Sequence, residues 1–348
     1  MIEIDGSLYS GSGTLVRYGA SLATVTREPL HMTRIRAKRP KPGLRAQHLS
    51  ALSACAIVSG GRLDNANVGS QEISYYPGNT LVGGSFRFDI GTAGSATMAA
   101  FTLIPPALFA AAPSRFTITG GLFQDFAPSF HHVNLVLLRI LASMGAKVSL
   151  RMIRPGYVPR GQGQLIVEVT PCPVLEPIRL VSQGSVVSIR GVALSSHLEQ
   201  QHVATRMAKR STELLRRQGY DPEIEIVEDT TAVQRGAALM LWAETETGCV
   251  LGADRVGRQG RRSEDIADFV VSSLTEDLRS GACTDRHLAD QLVLFAALAH
   301  GTSELTIPRM TEHVETNLWL VKHILGVRSH VRGNLVRIEG TGMKPRSS

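Results

Sequence analysis

Cysteine is sparse in this chain and forms no pairing pattern. Cys55, Cys172, Cys249 and Cys283 stand far apart along 348 residues, with no C-x-x-C pair, so neither a zinc site nor a disulfide framework is expected. Three of the four sit among apolar or small residues and read as core thiols, which makes a reducing cytoplasm the expected setting. Long apolar runs are also missing. The longest, ATMAAFTLIPPALFAAA, is broken by Pro105 and Pro106 and reads as a buried helix rather than a bilayer span. The opening MIEIDGSLYS reads as a strand and a turn, not as a basic segment followed by an apolar run, so no secretory signal is expected. Aromatic residues are few, at 5%.

Apolar residues make up 43% of the chain and charged residues 19%. That balance fits a globular protein with a sizeable core, long enough for one large domain and a smaller one. The formal charge is +7 and the pI about 9.5, which favours polyanionic partners such as nucleic acid or nucleotide phosphates.

The chain repeats itself loosely. LHMTRIRA reads as a strand, GLRAQHLSALSACAIVSG as a helix ending at glycine, and RLDNANVGSQEISYYPG with SFRFDIG as further strands. SRFTITGG, HHVNLVLLRILASMG, AKVSLRMI and GQLIVEVTP repeat the order, and SELTIPRM, HVETNLWLVKHILG, VRSHVRG and NLVRIEG repeat it again. With a preceding helix in each copy, the unit is helix–strand–helix–strand–strand, about 70 residues long. An α+β fold built on an internal repeat follows. Residues 183–279 break the pattern with their own strands and helices and read as an inserted α/β domain. The large domain then takes 1–182 and 280–340, and 341–348 is expected to be a flexible tail.

Four segments carry candidate chemistry. DGSLYSGSGTLVR, residues 5–17, runs from a strand through a Gly/Ser turn into a helix. This is a backbone cradle suited to phosphate, or simply a tight turn, and it lacks the Lys-Ser/Thr pair of a Walker A loop. RIRAKRPKPGLRAQH, residues 34–48, places seven basic residues in fifteen positions, either for phosphate recognition or as a solvated face. GTAGSATM, residues 91–98, opens another helix with small residues. In RMTEHVETNLWLVKHIL, residues 309–325, Leu318, Val321 and Leu325 recur at helical spacing and face the core. His313 then falls in the first helical turn, where the dipole disfavours protonation and leaves the imidazole neutral and nucleophilic. Read on its own, such a histidine is also an ordinary surface residue.

Together these segments resemble the RNA 3′-terminal phosphate cyclase family over essentially the whole chain. IRAKRPKPGLRAQH resembles that family's IRAxRxxPGLxxQH signature, and GTAGS, GYVPRGQG, ADQL and HVETN recur in family order. The resemblance implies three repeated βαβαββ-like units and an inserted small thioredoxin-like α/β domain. It implies an ATP-dependent ligase, acting in RNA processing or repair, that converts an RNA 3′-phosphate end to a 2′,3′-cyclic phosphate through a histidyl–AMP and an RNA-adenylate, with a divalent metal (Mg or Mn) assisting. RNA with a 3′-phosphate and ATP are the implied partners, with no membrane. Carried over by position, His313 is the nucleophile. Arg17, Arg39 and Gln47 stand at nucleotide and RNA phosphates, Gln291 at the adenylate site with Asp290 beside it, and Arg36 and Lys41 are further phosphate contacts.

The departures from the family pattern are specific. The first loop reads SGSGT where the family has EGGGQ, so Ser10 takes the position of the acidic residue expected to help the metal, and serine supplies no carboxylate. Glu312 and Glu315, flanking His313, are the nearest carboxylates in sequence. GGLFQDF replaces a GGT segment, His131 takes an acidic position and His287 a tyrosine position. The altered loop leaves one alternative open, a non-catalytic cyclase-like RNA-binding protein in RNA processing or ribosome assembly.

Overall fold

The computed structural model describes residues 1–345. The first sheet is built from β1 (Ile2–Asp5), β2 (Leu30–Thr33), β3 (Arg62–Asp64) and β4 (Ile73–Tyr76), with α1 (Gly13–Thr26) between β1 and β2 and α2 (Ala46–Ser59) between β2 and β3. Its order is β1-β2-β4-β3, and only β1 and β2 run parallel. The second sheet holds β5 (Gly84–Asp89), β6 (Ser114–Gly120), β7 (Lys147–Arg154) and β8 (Gly163–Thr170), in the order β5-β6-β8-β7 with β5 and β6 parallel. Here α3 (Ala96–Leu108) makes the crossover, and α4 (Phe130–His132), a π turn (Val133–Leu137) and α5 (Leu138–Ser143) form one interrupted helix. The segment read as a single helix from HHVNLVLLRILASMG thus carries a π-bulge, a feature frequent at functional sites.

A two-residue strand, β9 (Arg179–Leu180), comes next and then a separate unit. That unit contains β10 (Val186–Ser196), α6 (Val203–Arg216), β11 (Glu223–Asp229), β12 (Gly236–Thr245), β13 (Val250–Val256) and α7 (Ser263–Arg279). Its sheet order is β11-β10-β12-β13. The chain then returns through α8 (Leu288–Leu298), β14 (His300–Thr306), α9 (Glu312–Leu325), β15 (Arg328–Arg332) and β16 (Leu335–Thr341). These last strands recruit β9, which pairs parallel to β14, in the order β15-β16-β14-β9. In each of the three sheets outside the β10–α7 unit one pair of strands is parallel and is joined through a helix-containing crossover, as parallel neighbours require. β16 extends through Thr341, and the N–H groups of Gly342 and Met343 donate to Ala299 and Leu298 carbonyls. The expected flexible tail thus begins as bonded chain, and its residues 346–348 lie outside the described residues.

Two apolar clusters hold these layers. The larger is shared by the three sheets outside the β10–α7 unit and their helices, and also takes in one face of β10, β12 and β13, including Leu194, Met240 and Trp242. Two of its helices are buried almost throughout: every residue of α1, Arg17 included, is buried, and α8 is buried at all positions except Asp290. Phe101 of α3 joins the layers, stacking on Tyr18 of α1 at 5.2 Å and meeting Phe295 of α8 edge-on at 5.5 Å. The smaller cluster comes mainly from β10, β12, β13, α6 and α7. On its surface Arg206–Glu264 and Arg210–Asp268 pair α6 with α7 at 2.8 and 2.6 Å. Among the described residues no helix is long and apolar enough to cross a membrane.

Phe295 is fully buried where helices of different sheets meet. Phe295→Ala should therefore cost about 3–5 kcal/mol, read as a lowered midpoint in urea unfolding of the whole chain.

Candidate active site

The helices deliver their first turns to one pocket of about 590 Å³, within the usual range for a small-molecule site. Thr311 caps α9 by accepting from Val314 N at 3.2 Å, which fixes the first turn that carries His313. His313 lines the pocket while staying partly open to solvent. Its pKa lies below the ordinary histidine value, through desolvation first and then the charges of Arg17 and Arg39. Electrostatics thus act in the same direction as the helix dipole.

Arg17, on the first turns of α1, is 7% exposed and also lines the pocket. Burial pulls its pKa down to about 10, which still leaves it charged at neutral pH. Its Nε has no hydrogen-bond partner, and neither has Oε1 of the buried Gln291 in α8. Buried polar groups left unpaired in a concave wall point to a ligand that satisfies them. Asp290 shares this wall, and its backbone carbonyl accepts from Asn317 Nδ2 of α9 at 2.8 Å. Burial, and then the charge of Asp285, raise the Asp290 pKa to about 7 against the pull of His132 and Arg17.

Asp285 lies beneath the pocket and is fully buried. It accepts from His132 Nε2 at 3.1 Å, from the His287 and Leu288 N–H groups at 2.8 Å each, and from Gly252 N at 2.9 Å. Burial alone would raise its pKa; the charge and hydrogen bond of His132 outweigh burial and hold it at about 2. The same pairing raises His132 despite its own burial. The His132 Nδ1 atom has no partner, and His132 lines the pocket.

The β10–α7 unit supplies the opposite wall. Asp254 accepts from Ser129 N at 3.1 Å, and Arg258 and Arg261 both pair with Asp125. Arg255 lies over the ring of Phe269 at 3.7 Å.

Of the residues chosen from the sequence, Arg17, Asp290, Gln291 and His313 meet in this pocket, whereas Ser10, Arg36, Arg39, Lys41 and Gln47 do not line it. Arg36 is turned to its own loop, with Nη1 donating to the carbonyls of Lys41 and Gly43 at 2.8 and 2.9 Å. Lys41 is exposed. Arg39 Nη2 donates to Ser10 O at 3.4 Å, and its charge reaches His313. Gln47 Oε1 accepts from Ser95 N at 3.0 Å and so ties the basic loop to the start of α3. Ser10 is buried in a knot in which its Oγ bonds Ser12 Oγ at 3.1 Å and its N–H donates to Thr316 Oγ1 at 3.3 Å. Sequence reasoning missed Tyr18, His132, Asp285 and the arginines of residues 255–261. Asp285, just before the helical ADQL segment, carried the one readable signal, that of a helix-capping aspartate.

The residues present do not form a cage for a divalent metal. Among the described residues no group of three or more His, Cys, Asp or Glu converges. Three nearby carboxylates are committed, Asp285 to His132, Asp125 to two arginines and Asp254 to a backbone N–H, which leaves Asp290, with its raised pKa, as a single carboxyl in the pocket wall. Glu312 and Glu315 are exposed on α9. A hard cation here would take most of its oxygens from phosphate and water.

A pocket with a histidine of lowered pKa, a buried arginine and unpaired polar groups, set between α+β layers, is suited to a phosphate-bearing ligand. The family model described as RNA 3′-terminal phosphate cyclase matches residues 8–331, and the chain belongs to that family. An RNA 3′-terminal phosphate cyclase of Pyrobaculum neutrophilum is 34% identical over 345 residues, covering 98% of this chain and 99% of its own. One from Archaeoglobus fulgidus is 37% identical, covering 97% of this chain and 100% of its own. Among solved structures, the enolpyruvyl transferase NikO from Streptomyces tendae aligns with a TM-score of 0.41 at 12% identity, over 96% of this chain and 47% of that one.

His132→Ala would leave Asp285 buried without its counter-charge. The expected cost is about 3–5 kcal/mol near neutral pH. Because the folded Asp285 pKa lies below its ordinary value of 3.8, the pair stabilises above that pH and loses its effect as pH falls toward about 2. The deficit of the variant should therefore shrink on acidification, measured by urea unfolding across a pH series.

Proposed function

We propose that the protein is an ATP-dependent RNA 3′-terminal phosphate cyclase with His313 as nucleophile. The observation that carries this reading is His313, held neutral beside the buried charged Arg17 and the unpartnered Gln291. A neutral imidazole nitrogen attacks the α-phosphorus of ATP; the bond to pyrophosphate breaks and AMP is left on His313. An oxygen of the RNA 3′-phosphate then attacks that phosphorus, and the nitrogen–phosphorus bond breaks. Finally the neighbouring 2′-hydroxyl attacks the activated 3′-phosphorus, loses its proton, and expels AMP as the 2′,3′-cyclic phosphate closes. Arg17 stabilises charge developing on the phosphoryl oxygens, and Gln291 orients the adenylate by accepting a hydrogen bond through its unpaired Oε1. Arg39 acts from the rim as a positive charge that keeps His313 deprotonated. Gln47 serves by fixing the start of α3.

We also read residues 183–279 as an inserted domain beside a large domain of 1–182 and 280–340. A thioredoxin-like assignment is supported by a β-α-β-β-β-α order with the first two strands parallel and the others antiparallel. The four free, buried cysteines favour a reducing cytoplasm.

The test is covalent labelling. Incubated with ATP labelled at its α-phosphate and with Mg or Mn, the protein should acquire acid-labile label that His313→Ala abolishes and His323→Ala retains. No label with any divalent metal would favour the non-catalytic RNA-binding alternative, which the serine at position 10 supports. The pH dependence carries a sign. Since the reactive form is neutral and the His313 pKa is lowered from 6.5, the rate of labelling should reach half its plateau below pH 6.5. Arg39→Gln should move that midpoint upward, measured by quenched time courses.

A further inference from the structure

Phe126 is 102% exposed and has a φ of +67°. A phenylalanine gains most from burial, and a left-handed backbone is costly for any residue with a Cβ. Neither cost is relieved by contacts of this side chain. The segment around it is held, however. Asp125, just before it, is clamped by Arg258 and Arg261. Just after it, Pro128 O accepts from Thr97 Oγ1 at 2.8 Å, and Ser129 N donates to Asp254. The loop is thus fastened on both sides, to α3 and to the exit of β13, and the ring between the fastenings stands out at the mouth of the pocket. Conformations of this kind persist where a function uses them.

The neighbouring wall has matching chemistry. Arg255, Arg258, Arg261 and Arg262 fall within eight residues. Asp125 pairs with both Arg258 and Arg261 and Asp265 with Arg262, so two carboxylates face four cations and Arg255 keeps no carboxylate partner among the described residues. Arg255 lies over Phe269, itself 44% exposed. An exposed aromatic plane beside a run of arginines is the arrangement that holds unpaired nucleotides, one element stacking on a base and the other following the backbone.

We propose that Phe126 is a stacking platform for an unpaired base near the 3′ end of the RNA strand, and that the Arg255–Arg262 segment of the β10–α7 unit guides the upstream phosphates. This rests on the cyclase reading, because it takes RNA as the polymer that enters the pocket. Any nucleobase could stack on Phe126, including the adenine of ATP. RNA is favoured because the ring stands fully in solvent, whereas the apolar walls deeper in the pocket, Tyr18 and Phe101, are each 2% exposed.

The experiment measures binding separately from chemistry. A short fluorescent RNA with a 3′-phosphate is titrated, without ATP, into the full-length wild-type chain, Phe126→Ala, Phe126→Trp and Arg255→Ala. Phe126→Ala should weaken RNA binding about tenfold, and Phe126→Trp should restore it. Arg255→Ala should lower the salt dependence by about 0.7 in log–log slope. An abasic nucleotide walked back from the 3′ end should weaken the wild type at one position and leave Phe126→Ala unchanged there. Wild-type RNA affinity in Phe126→Ala, or no such position, overturns the proposal. So does a rise in the ATP concentration needed for self-labelling without loss of RNA affinity, which would assign the ring to adenine. The two readings fail separately. Self-labelling on His313 with Phe126-independent RNA binding removes only the stacking site; Phe126-dependent RNA binding without self-labelling removes only the proposed activity.

Discussion

One buried carboxylate connects the parts of this molecule that must meet for the pocket to exist. Asp285 caps the start of α8 through the His287 and Leu288 N–H groups, pairs with His132 in the interrupted helix before β7, and accepts from Gly252 in β13. A charge removed from water needs several strong partners, and the four here come from three different elements. The three elements are therefore positioned by the requirement that one anion be fully satisfied. The glycine at 252 belongs to the same constraint, since a Cβ there would lie 2.7 Å from Val136 and 3.3 Å from the His132 ring. The β10–α7 unit has an apolar cluster of its own but also packs Leu194, Met240 and Trp242 into the main core, and its polar register against the pocket comes through this contact, Asp254 and Asp125.

The charge pattern above Asp285 has a chemical direction. Asp285 takes the low pKa and leaves Asp290, closer to the ligand space, with a raised one. Near neutral pH the wall therefore carries less negative charge than its composition implies. Arg17 and Arg39 add positive charge near His313. The result suits a phosphate-rich ligand and a neutral imidazole together, which a symmetric pair of ionised aspartates would oppose.

Much of the fold was legible in the chain, for local reasons. Glycine-terminated helices and alternating strands gave the order of most elements, because cap and period are properties of neighbouring residues. The two-residue strand β9 was not legible: its pairing partner β14 lies 125 residues away, across the whole β10–α7 unit. The π turn after His132 was hidden for a different reason, since a single widened turn leaves an apolar run looking helical. At the site, His313, Arg17, Asp290 and Gln291 were found through motifs that each sit on one helix. The His132–Asp285 pair spans 153 residues, and no spacing announces it. Gln47 was chosen by its position in the family motif and Arg36 as a further cation of the same loop; in the fold Arg36 Nη1 bonds its own loop and Gln47 Oε1 accepts from the start of α3.

The SGSGT loop is best understood from its bonds rather than from the carboxylate it lacks. Ser10 is 7% exposed and Ser12 is 7% exposed, and their hydroxyls bond each other. Ser12 caps α1, the helix that carries Arg17, while the Ser10 N–H donates to Thr316 on α9, the helix that carries His313. The loop therefore sets the spacing between the arginine and the histidine. Gly13 belongs to the same packing, because a Cβ there would lie 2.1 Å from Nε2 of His48 and 2.9 Å from Nη1 of Arg17. A carboxylate placed at position 10 would have to displace a neutral, satisfied pair of hydroxyls and bring charge into their space. In this chain, then, the loop contributes geometry rather than charge: it holds the starts of α1 and α9 together.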